Sequence, residues 1–286
     1  MTNTLLDLSQ RHELGLHAEI VVDVEAAAMP LGIVPLIVGA FARDVHLFYG
    51  HGIQIQRETE DIDFALALPD WTAFTALKDA LHSSGAFRAS PAAHRLRHRN
   101  GLPVDLVPFG AIEDSGRKIS WPPKGEVVMD VFGFREALDT AQEVVLPGNV
   151  RTRVVSLSAL ALLKIVCWQE RHYASPRKDA QDLYLIMSTY LDAGNGARLW
   201  EEFVDWTQDT DFEYELAGPR MLGHDIRGLL RSVDIERVTR LLHEQVDAEA
   251  PGLLPNEMNR NDPDRARALL RALLDGLVGK DGHRSP

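Results

Sequence analysis

One cysteine, Cys167, stands in 286 residues, so no disulfide can form within the chain and a small stapled secreted scaffold is excluded. Cys167 falls in the apolar run LALLKIVCW and reads as a small buried hydrophobe. Long apolar runs are missing too. None approaches the roughly 20 residues of a membrane span, and the opening MTNTLLDLSQRHELG has no basic stretch followed by an apolar one. The expected setting is a reducing cytoplasm, away from membranes. Positive charge is scarce as well: 30 Lys and Arg face 42 Asp and Glu, a formal charge of −12. That balance excludes a non-specific nucleic-acid coat, whose affinity comes from phosphate neutralisation. It leaves room for local patches, of which there are three: HRLRHRNG (94–101), Arg151 with Arg153, and RHYASPRK (171–178). Each reads either as a solvated face or as a rim that steers an anionic ligand.

The length is enough for one large or two ordinary domains with a real core. Residues 14–29 carry apolar positions at helical spacing. IVPLIVGA followed by FARDVHLF reads as strand, tight turn and helix, and the next strand is expected over residues 61–68. Asp70 is placed to cap the helix WTAFTALKDALHSSG, which Gly85 ends. HRLRHR and LPVDLVPF flank Asn100-Gly101, a strong hairpin signal that puts Asp105 on a strand beside the first two. GAIEDSGRKISWPPKGEVVMDVFGF has the composition of an ordered loop, and a second hairpin turns at PGN (147–149). From Ser156 onward the texture is helical. The expected division is a catalytic domain over residues 1–155 and a helical domain over 156–286, with KDGHRSP as a disordered tail.

The chemistry concentrates in TEDIDFALAL (59–68), where Asp61 and Asp63 head an otherwise apolar strand. Residues i and i+2 of a strand point the same way, so the two carboxylates stand roughly 7 Å apart and aim at one point. Such a pair is either the frayed, solvated start of a strand or a site for a cation, which would relieve their repulsion. Upstream, Gly39 lets backbone N–H groups at a strand-to-helix turn approach an anion. Downstream, Asp105 adds a third strand-borne carboxylate. Three carboxylates and a glycine turn form a kit for two divalent ions and a triphosphate, as in-line phosphoryl or nucleotidyl transfer requires.

Gly39-Ala40, Asp61-Ile62-Asp63 and Val104-Asp105-Leu106 resemble, in order and spacing, the motifs of the nucleotidyltransferase superfamily with a polymerase-beta-like core. The later segments LLKIVCWQER and RKDAQDLYL are similar to those of its AbiEii/AbiGii toxin family. The likeness spans residues 33–190, and Ala40 stands where the superfamily usually shows a second Gly or a Ser. The resemblance implies an α+β fold, a mixed sheet with flanking helices plus a C-terminal helical domain. It also implies transfer of a nucleoside monophosphate from an NTP to an acceptor, dependent on magnesium or manganese. Asp61 and Asp63 would hold both ions and Asp105 the acceptor-side ion, with Gly39, Ala40, Arg43, Lys164 and Lys178 around the nucleotide. A toxin role follows, with tRNA or another RNA as acceptor and an antitoxin protein as partner.

Several residue readings stay open at this level. Lys164, Trp168 and Arg171 share a helix face, and Lys178, Asp179 and Asp182 lie at i, i+1 and i+4. They are either an interhelical ion-pair network or a group in which Lys164 contacts the triphosphate and Asp179 or Asp182 orients it. Arg43-Asp44 is either a buried ion pair or a ribose or phosphate contact. Arg95, Arg97 and Arg99 on one strand face would suit an RNA rim. The rival functions are a nucleotide-binding protein without turnover and an enzyme that nucleotidylates a small molecule such as an antibiotic.

Overall fold

A computed structural model describes residues 5–55, 59, 61–174, 177–247 and 252–279. The KDGHRSP tail lies outside them, as do residues 175–176 of the third basic patch. The chain divides into two compact units, Met1–Ser156 and Leu157–Pro286.

The first unit is built on an eight-stranded mixed sheet. Its strands are β1 (Leu6–Asp7), β2 (Pro35–Val38), β3 (Ile62–Leu68), β4 (Phe87–Ala89), β5 (Arg95–His98), β6 (Pro103–Gly110), β9 (Gln142–Leu146) and β10 (Val150–Val154), after β7 (Lys118–Ser120) and β8 (Val128–Asp130) have paired as a separate ribbon. The spatial order is β1-β9-β10-β2-β3-β6-β5-β4. β3 and β6 run parallel, and β2 and β5 flank them antiparallel. This central pair carries the near-continuous apolar runs expected of strands covered on both faces: Ile62, Phe64, Ala65, Leu66, Val104, Leu106 and Phe109 are all buried.

Helices α1 (Gly15–Ala28), α2 (Gly39–Asp44), α3 (Trp71–Ser83) and α4 (Phe134–Asp139) belong to this unit. Local chemistry sets their ends. The Asp70 side chain accepts a hydrogen bond from the Ala73 N–H at 2.9 Å, an N-cap that orients α3. α2 continues as a π-helical turn, Val45–Gly50, so the expected helix after the Gly39 turn is present but not regular. The segment read as an ordered loop carries the β7–β8 ribbon, with Trp121 beside Trp71 and Phe74 of α3 at ring separations of 5.2 and 5.6 Å.

The second unit is helical: α5 (Leu157–Arg171), α6 (Lys178–Thr189), α7 (Gly196–Glu201), α8 (Tyr214–Leu229), α9 (Ser232–Val246), α10 (Leu253–Met258) and α11 (Pro263–Val278). α8 and α11 approach until their backbones touch. A Cβ on Gly223 would fall 1.9 Å from the Leu273 carbonyl oxygen, and one on Gly276 would fall 1.9 Å from that of Arg220. No helix among the described residues is long and apolar enough to cross a membrane. Cys167 is half-buried in α5, and burial pushes its thiol up to about 11.

His46, on the π-helical turn, is buried, and its Nε2 donates to the Val155 carbonyl at 2.7 Å. Burial lowers its pKa from 6.5 to about 4. The unfolded chain therefore binds this proton below pH 6.5 while the folded one does not until about pH 4. Stability from this group is complete above pH 6.5 and falls on acidification through that window, by up to about 3 kcal/mol. Melting temperatures between pH 7.5 and 4.5 should drop less steeply for His46→Gln, which keeps an N–H donor but cannot titrate.

Candidate functional site

The register of four adjacent strands decides the site. Val38 of β2 lies opposite Asp63 of β3, Asp63 lies opposite Asp105 of β6, and Asp105 lies opposite Arg95 of β5. Residues paired this way send their side chains to the same face of a sheet. One rung therefore reads Val38, Asp63, Asp105, Arg95, with the glycine turn starting at the next residue, Gly39. That turn presses against the rung. Gly39 has φ +72°, and a Cβ there would sit 1.9 Å from Asp63 Oδ2, so both the backbone angle and the space demand glycine.

Asp61 stands just ahead of β3, half-buried, and accepts from the Thr59 hydroxyl at 3.1 Å. Asp105 is buried. Arg95 joins the two. Its Nε donates to Asp105 Oδ1 at 2.7 Å, and its Nη2 donates to Asp105 Oδ2 at 2.6 Å and to Asp61 Oδ2 at 3.1 Å. This is the two-pronged guanidinium–carboxylate geometry. The hydrogen bonds to Asp105, with the charges of Asp105, Asp61 and Asp63, raise the Arg95 pKa above its ordinary value.

The placement of Arg95 corrects the expected arginine rim. Arg95 belongs to the carboxylate cluster, Arg97 Nη1 donates to the Gly101 carbonyl at 2.6 Å, and Arg99 Nη2 is 2.8 Å from Asp23 Oδ2. The signal for the Arg95–Asp105 pair was in the sequence, because the two residues are equidistant from Asn100 at the hairpin turn. His98, facing the other side of β5, bonds Asp23 at 2.9 Å, and His94 packs against Trp121.

Carboxylate oxygens are the hard donors that magnesium and manganese take. The guanidinium bridging Asp61 and Asp105 marks a place where positive charge is already stabilised, so the donor set suits a divalent ion. Among the described residues no three carboxylate, imidazole or thiol groups stand close enough to share an ion as they are. The cation in their midst is Arg95.

The remaining candidates fall elsewhere. Arg43 and Asp44 are both buried, with Arg43 Nε and Nη2 at 2.8 and 2.5 Å from Asp44 Oδ1; of the two readings, the buried ion pair is the one present. Ala40 is half-exposed beside Gly39. In the second unit, Lys164 is buried on α5 with Nζ 3.0 Å from Asp179 Oδ1 and 2.6 Å from Asp182 Oδ2 on α6. Arg171 adds two bonds to Asp179, at 2.8 and 3.0 Å. Burial by itself would push Asp179 up, but Lys164 and Arg171 outweigh it and hold its carboxyl down at about 2. Asp179 and Asp182, at i and i+3 on α6, thus meet Lys164 and Arg171, at i and i+7 on α5, in an ion-pair network. Lys178 opens α6 and is exposed.

A mixed sheet that brings a glycine turn and strand-borne carboxylates onto one rung places the chain in the nucleotidyltransferase class of enzymes. Residues 38–276 match the family model described as nucleotidyl transferase AbiEii toxin, type IV TA system. The chain belongs to that family. No curated protein matches it. Among solved structures it is similar to the antibiotic-resistance factor ANT(2'')-Ia, at 16% identity and a TM-score of 0.38 over 67% of this chain and 95% of that one. It is also similar to the lincosamide antibiotic adenylyltransferase LnuA, at 19% identity and a TM-score of 0.33 over 57% of this chain and 92% of that one.

Three substitutions test these contacts. Lys164→Met removes the buried cation that Asp179 and Asp182 share and should lower the unfolding free energy by about 3–5 kcal/mol in urea titrations followed by circular dichroism. Gly39→Ala should destabilise by more than Gly101→Ala. Gly101 also has positive φ, at +98°, but has open space around it. It therefore measures the backbone cost alone, about 1 kcal/mol or more, and the excess at Gly39 is the displacement of Asp63.

Proposed function

We propose that the first unit transfers a nucleoside monophosphate from an NTP to an acceptor hydroxyl, using Asp61, Asp63 and Asp105 to hold magnesium or manganese. The observation that carries this reading is the rung itself, with Asp63 between the Gly39 turn on one side and Asp105 on the other. In this assignment the Gly39-Ala40 backbone receives phosphate oxygens, because Ala40 supplies no hydroxyl for them. Asp61 and Asp63 would hold both ions, and Asp105 the ion on the acceptor side. The acceptor hydroxyl gives up its proton to solvent, its oxygen forms a bond to the α-phosphorus, the bond to the bridging oxygen breaks, and pyrophosphate leaves with that electron pair. A bound divalent ion supplies charge neutralisation at the phosphates and acidifies the acceptor hydroxyl.

Lys164, Asp179 and Asp182 take a supporting role in this proposal, holding α5 on α6, since each is spent on a buried partner. Arg43 likewise supports α2 from within. A toxin role with an antitoxin partner is supported by the family's description, and action in a reducing cytoplasm by the single cysteine. An RNA acceptor, tRNA included, is supported by the family resemblance. A small-molecule acceptor is the second reading, and it gains from the internal bonds of Arg95, Arg97 and Arg99, which reduce the case for a phosphate-tracking rim.

The test is incubation with each labelled NTP, magnesium, and total RNA, total protein or a small-molecule fraction, followed by asking which fraction carries label. Asp61→Ala, Asp63→Ala and Asp105→Ala should each abolish labelling while melting as folded proteins. Undiminished labelling by Asp63→Ala would refute the assignment.

A further inference from the structure

Arg95 is an expensive residue to place where a metal is expected. Its guanidinium carries a permanent charge, so the site cannot be vacated by deprotonation, only by movement. It makes three bonds to two of the three proposed ligands, and an ion cannot use those oxygens in the same way while the bonds stand. The arginine is also peripheral. It is the first residue of a four-residue strand, one strand in from the sheet edge at β4. Its side chain is 37% exposed, against 11% for that of Asp105.

Once a metal takes the carboxylates, Arg95 has five N–H donors and no acceptor, and the strongest anions left within the site are the phosphates of the nucleotide. We propose that Arg95 is a counter-ion that changes partners: it holds Asp61 and Asp105 before substrate arrives, yields them to the metal, and then pairs with the nucleotide's phosphate. Metal alone must displace the arginine without offering it a new anion, whereas metal with nucleotide offers one. The arginine therefore makes the site favour the metal–nucleotide pair over the free ion. This inference rests on the carboxylate reading above.

The effect has opposite signs in two measurements on one variant. Free manganese followed by its electron paramagnetic resonance signal should show Arg95→Met binding the ion about ten-fold or more tightly than the unmodified protein, since a unit positive charge at hydrogen-bond distance has been removed. The same variant should bind the manganese complex of an α,β-methylene NTP analogue more weakly than the unmodified protein. Arg95→Lys, which keeps the charge and loses the fork, should fall between them on both scales. Addition of Asp63→Asn to Arg95→Met should abolish the gained manganese affinity.

Each other result has a defined meaning. Manganese affinity unchanged in Arg95→Met but lost in Asp63→Asn leaves the metal site standing and overturns the displacement. Tighter manganese with unchanged or tighter analogue binding makes Arg95 a plug and overturns the change of partner. Manganese bound as tightly with Asp63→Asn as without it, or not bound by any variant, overturns the metal site and the inference together. Melting temperatures measured alongside identify a variant that has lost its fold, and Arg95→Lys then carries the comparison.

Discussion

Charge repulsion among Asp61, Asp63 and Asp105 is the constraint on which the first unit depends. Parallel pairing of β3 with β6 sets Asp63 directly beside Asp105, and Asp61 stands two residues earlier, just ahead of β3. Like charges that close do not persist on neighbouring strands without a positive partner, because partial burial removes the water that would screen them. Arg95 supplies that partner from the adjoining strand. The geometry of the rung and the identity of its counter-charge are thus one problem, solved by a single hairpin.

The second unit meets a similar problem within itself. Lys164, Asp179 and Asp182 are all buried, and a charge taken out of water is tolerated only with its partners in place. Arg171 completes the set from the exposed side of α5. A second group lies among Tyr190, Arg198 and Asp225. Arg198 reaches Asp225 with two bonds at 2.7 and 2.9 Å, and the Tyr190 hydroxyl donates to the same carboxylate at 2.6 Å. Burial would raise Asp225, but the Arg198 and Tyr190 bonds prevail and hold it below its usual value. The helices of this unit are located by such polar clasps as well as by apolar packing and by the close backbone contact at Gly223 and Gly276.

Membership of a nucleotidyltransferase family explains why the apolar framework around the rung is so regular. Precise positioning of a carboxylate requires that its strand be unable to slip, and close packing of differently shaped side chains against β3 and β6 resists a slip from the observed register. Ile62, Phe64, Leu66, Val104 and Leu106 supply that restraint. Gly39 supplies the complementary one, since no other residue leaves room for the Asp63 carboxylate at that turn.

Much of this was legible in the order of residues. Local signals located the α3 cap at Asp70, the hairpin at Asn100-Gly101, the strands bearing Asp63 and Asp105, and the change to helices after Ser156, because caps, turns and alternation depend on neighbours in sequence. The motifs from Gly39 to Asp105 were readable for the same reason, and they carried the family resemblance. The hairpin centred on Asn100 also implied that Arg95 faces Asp105, but only the tertiary structure brought Asp61 to the same guanidinium. The i, i+4 spacing of Lys178 and Asp182 likewise did not say that Lys164 would be the partner of Asp182 and Asp179. Partner choice between charges is long-range, set by how strands and helices align across tens of residues. A one-residue shift of register would have sent each of these side chains to a different face.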